Sequence, residues 1–419
     1  MYKILVVDDS ALMRRVICDI INADNDFRVI DVSADGEDAY NKIQKTAYDL
    51  VVLDMVLPKV TGVQLLENLY KEGIPYNVVL ISSSLKEDAE STMRAMELGA
   101  LDFVVKPIRS GPDTREVFGT QLLGSLHNVI KSRSFRTITP KTGGASSMVS
   151  SIGSSAGASQ TATTSERMAN VRSKLEGFRN GTAPTATAVE TPKPAPPPPA
   201  PAPAQALAPK PVAEKPPVTP KGTGVRTKKI IALACSTGGP QALHTFVPML
   251  PQNLSVPLVI VQHMPEGFTA SLAARLDQIS AVSVKEAEDG EYFKPGVVYV
   301  TPGGKHMKIC EDASHAAFCH LDDGPPVNSL KPCADVMYRS LATSSFDEII
   351  CVVLTGMGAD GSEGIRYLNQ YKKTYVISQE ASTCVVYGMP KAVETGGLSN
   401  EVQPLKSVAN SIVKKLGGL

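Results

Sequence analysis

The sequence predicts an α/β protein of two domains, an N-terminal doubly wound five-strand parallel sheet and a C-terminal α/β domain with a mainly parallel sheet. Three observations predict it. The chain has 419 residues, against typical domains of about 100 to 200. Short apolar runs alternate with helical stretches on both flanks. Between the flanks the composition turns to Gly, Ser and Thr, and then fourteen prolines fall between Pro184 and Pro220. The expected partition is therefore 1–136, a linker over 137–227, and 228–419.

In the first flank KILVVDD, FRVIDVSA, LVVLDM, NVVLISSS and DFVVKP read as buried strands. Helical stretches such as Ser10 to Asn22, Gly62 to Glu72 and Lys86 to Leu98 separate them, and strands joined by crossover helices form a parallel sheet. The linker buries too little apolar surface to offset its ordering entropy, and its KPAPPPPAPAPA core is expected as an extended polyproline II spacer. Within it, Ser165 to Gly181 carries Met168, Val171, Leu175 and Phe178 at helical spacing, a candidate isolated helix. In the second flank KKIIALAC, PLVIVQH, GVVYVTPG, IICVVLTGM and TYVISQ are strand runs, with helices expected after Gly239, Gly267 and Gly361.

Composition excludes several classes of partner. Forty-two basic residues balance forty-two acidic ones, which gives no electrostatic case for nucleic acid or a membrane surface. Seven scattered cysteines read as reduced thiols rather than a disulfide framework. Met1 leads at once into a strand, and nowhere do 18 apolar residues run together, so a cytoplasmic protein without membrane insertion is expected.

Two constellations carry chemistry. At the strand ends of the first flank stand Asp8, Asp9, Asp54, Ser82 and Lys106, and in a doubly wound sheet those ends meet in one crevice. Clustered carboxylates call for a hard cation, and Mg2+ suits one or two of them plus waters and a phosphoryl oxygen. Asp54 is then placed to attack a phosphoryl group whose oxygens Ser82 and Lys106 hold. Any one of these aspartates is more simply a turn residue; the five together are not.

The second constellation lies in LACSTGG, VIVQHMPEGFT and CVVLTGMGADGSEG. Ser236 follows a buried strand beside bared backbone amides such as that of Thr237, His263 ends the next strand, and Asp360 lies in a glycine-rich turn before a helix. Together they form the logic of acyl transfer: nucleophile, base and orienting carboxylate. Their order differs from that of the α/β hydrolases, and G-x-S-x-G is only half matched. A phosphate-cradling turn remains a competing reading, and with it a receiver-controlled binding module that hydrolyses nothing. Cys310, His315, Cys319 and His320 lack the C-x-x-C pair of a structural metal site, so ordinary strand and loop roles are expected for them.

The first flank resembles the response-regulator receiver domain. The resemblance implies that Asp54 is the phosphoacceptor, that Asp8, Asp9, Asp54 and the Val56 carbonyl serve Mg2+, that Phe103 reorients on phosphorylation, and that the Lys106–Pro107 bond is cis. STGGP, QHMPEGFT, TPGGKHM, PPVN, LTGMGADG and CVVYGMP resemble the catalytic domain of the chemotaxis protein-glutamate methylesterases (CheB). That resemblance implies hydrolysis of glutamate methyl esters on chemoreceptors, deamidation of receptor glutamines, a Ser236–His263–Asp360 triad with oxyanion donors at Met357 and Thr237, and no cofactor for the esterase. It also implies a histidine kinase as phosphodonor, and a resting state in which the receiver covers the cleft near Ser236.

Overall fold

The apolar runs of the first flank become parallel strands because alternate side chains bury on opposite faces. In the computed structural model, which describes residues 1–83, 86–107, 112–131, 229–313 and 315–417, Ile4 and Val6 pack in one core layer with Ile17, Ile21, Phe118 and Leu122. Leu5 and Val7 point the other way, into a layer that holds Leu65, Leu66 and Met93. The linker and the candidate helix at Ser165 to Gly181 lie outside the described residues.

The five strands are β1 (Tyr2–Val7), β2 (Phe27–Ser33), β3 (Leu50–Asp54), β4 (Val78–Ser82) and β5 (Asp102–Val105). They pair in parallel in the order β2-β1-β3-β4-β5. Between and after them run α1 (Ala11–Asn22), α2 (Gly36–Lys45), α3 (Gly62–Lys71), α4 (Lys86–Glu97) and α5 (Pro112–Lys131). Local chemistry sets the first three starts: Ser10, Asp35 and Thr61 each accept a backbone amide as N-caps, and Thr61 forms a capping box with Gln64. The order reverses direction between β1 and β3, which opens the crevice at their carboxyl ends. The cis peptide bond of the described residues is Lys331–Pro332, so Lys106–Pro107 is trans and the expected cis bond there is corrected.

The C-terminal domain is built on a wholly parallel seven-strand sheet, ordered β14-β13-β12-β6-β7-β9-β8. Its strands are β6 (Lys229–Cys235), β7 (Leu258–Gln262), β8 (Ser283–Glu286), β9 (Val297–Val300), β12 (Glu348–Val353), β13 (Lys373–Gln379) and β14 (Glu401–Gln403). A separate antiparallel pair, β10 (His306–Glu311) and β11 (Ala317–Asp322), stands outside it. The two edge strands were not legible as strand runs, because three or four half-buried residues make no apolar stretch. The helices are α6 (Gly239–Phe246), α7 (Phe268–Ile279), α8 (Ala334–Ser340), α9 (Ser362–Leu368), α10 (Met389–Thr395) and α11 (Leu405–Lys415). The three helix starts expected after Gly239, Gly267 and Gly361 correspond to α6, α7 and α9.

The described parts of Met1–Lys141 and Lys215–Leu419 form one compact unit. Helix α4 packs on α6 and α7, and one apolar cluster runs unbroken from Ala95 and Met96 to Phe268 and Leu272. Phe103 of β5 stacks on Phe268 with ring centroids 4.9 Å apart and planes 22° from parallel. At the rim, Arg275 makes a two-pronged ion pair with Glu97, its Nη2 donating to Oε2 at 3.0 Å. Burial works against the Glu97 charge, but Arg275 and Arg94 hold its carboxyl below the ordinary value.

Candidate active site

The carboxylate crevice expected at the receiver's strand ends is assembled as its residue types demand. Asp8 and Asp54 are buried while Asp9 is exposed at the mouth, and one carboxylate oxygen from each lies within 4.8 Å of the others. The Lys106 ammonium bridges two of them, 2.6 Å from Asp54 Oδ2 and 2.9 Å from Asp8 Oδ2. Burial raises the Asp54 carboxyl above its usual range despite Lys106, and the charge of Asp8 adds to the rise. Burial also opposes the Lys106 ammonium, but Asp54 and Asp8 outweigh it and hold its pKa up. Ser82 is fully buried at the next strand end, its hydroxyl accepting from Thr92 at 2.9 Å. Val56 lies at the mouth, its amide 3.4 Å from Asp54 Oδ1. Three hard oxygen donors face a single ammonium, which Asp54 and Asp8 share; that donor set fits Mg2+.

The second constellation gathers where the larger sheet reverses order, between β12 and β6. Cys235 pairs in register with Gln262, so the next residues, Ser236 and His263, emerge at one height. Cys235 is fully buried, and burial pushes its thiol far above the ordinary range. Ser236 is partly accessible. Two residues past Ser236 the chain turns through Gly238 at φ 76°, a left-handed conformation that glycine adopts without strain. A Cβ on Gly239 would collide with the Gln262 side chain. Gln262 in turn donates from Nε2 to the carbonyls of Ser236 and His263, at 3.1 and 3.2 Å, and so ties the two loops together.

His263 Nε2 lies 2.7 Å from Asp360 Oδ2. A carboxylate only accepts, so Nε2 carries the proton and Nδ1 is the nitrogen left to receive one. Asp360 also accepts the amides of Ala334, Asp335 and Gly361 and the thiol of Cys333. Burial alone raises its carboxyl, but the bond and charge of His263, together with these amides, hold it below the ordinary value. No hydrogen bond joins Ser236 Oγ to His263 among the described residues, and catalytic hydrogen bonds are often long before substrate binds.

The two expected oxyanion donors behave alike. Among the described residues the amides of Thr237 and Met357 make no hydrogen bond, whereas that of Ser236 is taken by the Thr355 carbonyl at 3.0 Å. Thr355 further braces this wall, its hydroxyl donating to the Thr237 carbonyl at 3.0 Å. Gly356 is equally constrained, since a Cβ there would stand 2.8 Å from Ser236 Cβ. Reading the sequence missed Gln262, Thr355, Cys333 and Asp335. Only the strand-end position of Gln262 hinted at a role. Cys310, His315, Cys319 and His320 are not among the metal-capable groups of the described residues, because pairing in β10 and β11 leaves Cys310 half-exposed and buries Cys319.

The receiver lies over this cleft. Thr237 Oγ1 donates to Asp102 Oδ2 at 3.4 Å, and Asn128 Nδ2 lies 2.8 Å from Met357 Sδ. Residues from β5 and α5 thus rest on the two loops that flank Ser236.

Fold and crevices together define a response regulator, a receiver sheet joined to an α/β output domain with a Ser, His and Asp cluster at its switch point. Residues 4–112 match the family model of the response regulator receiver domain, and residues 231–412 that of the CheB methylesterase. The protein-glutamate methylesterase/protein-glutamine glutaminase of Symbiobacterium thermophilum is 34% identical over 99% of this chain and 97% of that protein. A protein of the same name from Photobacterium profundum is 36% identical, with 99% of each chain covered. The solved CheB methylesterase catalytic domain of Thermotoga maritima is 41% identical over 46% of this chain and 100% of that one, with a TM-score of 0.43. The chain belongs to the protein-glutamate methylesterase/protein-glutamine glutaminase family and is a hydrolase. Among the described residues no helix is long and apolar enough to cross a membrane.

Proposed function

We propose that this chain is a cytoplasmic, phosphorylation-activated hydrolase that removes methyl esters from glutamate side chains of chemoreceptors and deamidates receptor glutamines. The observation that carries the reading is the His263–Asp360 pair set beside Ser236, with unpartnered amides at Thr237 and Met357. Ser236 Oγ attacks the ester carbonyl while His263 Nδ1 takes its proton. The oxyanion forms between the Thr237 and Met357 amides. His263 returns the proton to the departing methoxide, which leaves as methanol, and water then releases the glutamate by the same steps in reverse. Asp360 stays ionised throughout and stabilises the imidazolium. On a glutamine side chain the same sequence releases ammonia. The receiver then spans 1–136, the linker 137–227 and the esterase 228–419.

Control lies in the receiver. A histidine kinase supplies the phosphoryl group to Asp54; Asp8, Asp9, Asp54 and the Val56 carbonyl would hold Mg2+, which when bound neutralises charge on the phosphoryl oxygens. Lys106 and Ser82 take those oxygens, and Lys106 must then loosen from Asp54. The disturbance runs along β4 and β5 to Phe103, whose stack on Phe268 supports the closed form. Phosphorylation shifts the population toward an open cleft.

The test is methanol release from methylated receptor membranes, with and without a small-molecule phosphodonor. Ser236→Ala is expected to abolish release, and Asp54→Asn to abolish the response to the donor alone. Turnover by folded Ser236→Ala would remove that residue from the mechanism, and an Asp54→Asn enzyme as fast as the phosphorylated wild type would end the regulatory account.

A further inference from the structure

Helices α8 and α9 both begin at residues whose side chains do not cap them, Cys333 and Gly361. Each receives a carboxylate from the start of the other. Asp360 accepts the Ala334 amide on Oδ2 at 2.6 Å and the Asp335 amide on Oδ1 at 3.0 Å. Asp335 reciprocates, its Oδ1 accepting from the amides of Gly361 at 2.9 Å and Gly364 at 2.6 Å. Both aspartates are only 5% exposed. Burial raises the Asp335 carboxyl, and the charge of Asp360 adds to the rise. The pair persists because each carboxylate faces the amides of a helix start, where orphan N–H groups favour negative charge.

The exchange leaves little slack. A Cβ on Gly364 would stand 2.8 Å from Asp335 Cα, so the two helices touch backbone to backbone. Gly361 adopts φ 93°, and its amide is shared between Asp335 Oδ1 and Asp360 Oδ1. The turn that carries Asp360 is therefore pinned from the next residue by Asp335.

We propose that Asp335 is the positioning residue of the His263–Asp360 pair, clamping the Gly361–Gly364 turn onto the start of α8 so that Asp360 Oδ2 meets His263 Nε2. The inference rests on the reading of Ser236, His263 and Asp360 as the catalytic triad. Asp335 itself makes no hydrogen bond with His263 among the described residues.

The test uses the full-length enzyme with saturating phosphodonor and three variants, Asp335→Ala, Asp335→Asn and Asp335→Glu, with Ser236→Ala as control. Methanol release reads kcat and KM, and the imidazole Nε2–H resonance of His263 reads the pair without turnover. Asp335→Ala is expected to lose about 100-fold in kcat with KM nearly unchanged, as a small misplacement of a catalytic group does. Its Nε2–H resonance should move upfield or exchange away. Asp335→Asn keeps an oxygen for both amides and should recover to within about tenfold of wild type, with the resonance retained. Asp335→Glu keeps charge and acceptor but adds a methylene, and should lose rate while folded; it carries the test if the alanine variant does not fold. Wild-type kcat and an unmoved resonance in the alanine or glutamate variant overturn the proposal, as does an asparagine variant no better than alanine. Turnover by Ser236→Ala sinks the triad reading instead, and the resonance then still decides whether Asp335 holds the pair.

Discussion

Thr237, the residue after Ser236, donates its hydroxyl to Asp102 of the receiver at 3.4 Å. The same carboxylate oxygen accepts from Ser125 of α5 at 2.8 Å. One oxygen thus joins the receiver's own framework to the wall of the hydrolase cleft. Asp102 belongs to the strand that carries Phe103, so this contact and the aromatic stack are placed to give way together.

Removing that oxygen should open the cleft without phosphorylation. Asp102→Ala is expected to raise basal methanol release in the absence of phosphodonor while leaving the fully phosphorylated rate unchanged. An unaltered basal rate would show that the contact does not hold the resting state.

On the proposed regulation, the same group should make closure depend on pH. Burial pushes the Asp102 carboxyl up to about 6, against hydrogen bonds from Ser125 and Thr237 that pull it down. An ordinary aspartate titrates near ~3.9, so the closed form binds the proton more tightly than an open form that releases Asp102 to water. The stabilisation is complete below the ordinary value and is lost as pH rises through the raised one. Resonance energy transfer between dyes on the two domains should report tighter closure at pH 5 than at pH 7.5, and Asp102→Asn should flatten that difference.

The rim ion pair contributes a smaller share. Arg275 is about one-third exposed, and solvent screening limits such a pair to about 1 kcal/mol, or about fivefold in the closed-to-open ratio. Arg275→Glu should raise the basal rate by at least that factor, since it adds repulsion, and the exchange Glu97→Arg with Arg275→Glu should restore part of it. Added salt should raise the wild-type basal rate and leave Arg275→Ala indifferent.

In the proposed triad, Asp360→Asn is expected to lower kcat by about 10⁴-fold, because the amide favours the wrong imidazole tautomer. The depressed Asp360 carboxyl also stabilises the fold above about pH 4, the ordinary aspartate range. That contribution is lost as pH falls through the lowered value. Thermal melts below pH 4 should therefore separate wild type from Asp360→Asn less than melts at neutral pH do.

Chelation separates the two sites. Full-length enzyme stripped with EDTA should keep its basal ester hydrolysis and lose the rise caused by phosphodonor, and added Mg2+ should restore that rise. A fall in basal hydrolysis on stripping would place a metal in the esterase mechanism.

How legible the molecule is from its sequence depended on whether neighbours in space were also marked by type. Asp8, Asp54, Ser82 and Lys106 each end an apolar run, so a parallel sheet brings them together with no further information. Ser236 and His263 were legible in the same way, as successive strand ends. Asp335 carried no such mark: it follows no strand, and its importance comes from Gly361 and Gly364, whose amides the sequence does not display. The edge strands were hidden for the opposite reason, since a strand of three or four half-buried residues has no period to detect. The receiver–esterase contact was expected near Ser236, but Thr237, Asp102, Glu97 and Arg275 are ordinary surface types until the two domains meet.

The unbroken apolar cluster from Met96 to Leu272 should tie the proposed restraint to temperature. Closure driven by apolar burial weakens on cooling, because near ambient temperature that driving force is largely entropic. On the proposed regulation, chemistry slows in the cold while the receiver's hold on the cleft loosens, so the two effects oppose each other in the unphosphorylated enzyme. Resting turnover should consequently fall less steeply with cooling than phosphorylated turnover, and the ratio of activated to resting rate should shrink as the cell chills.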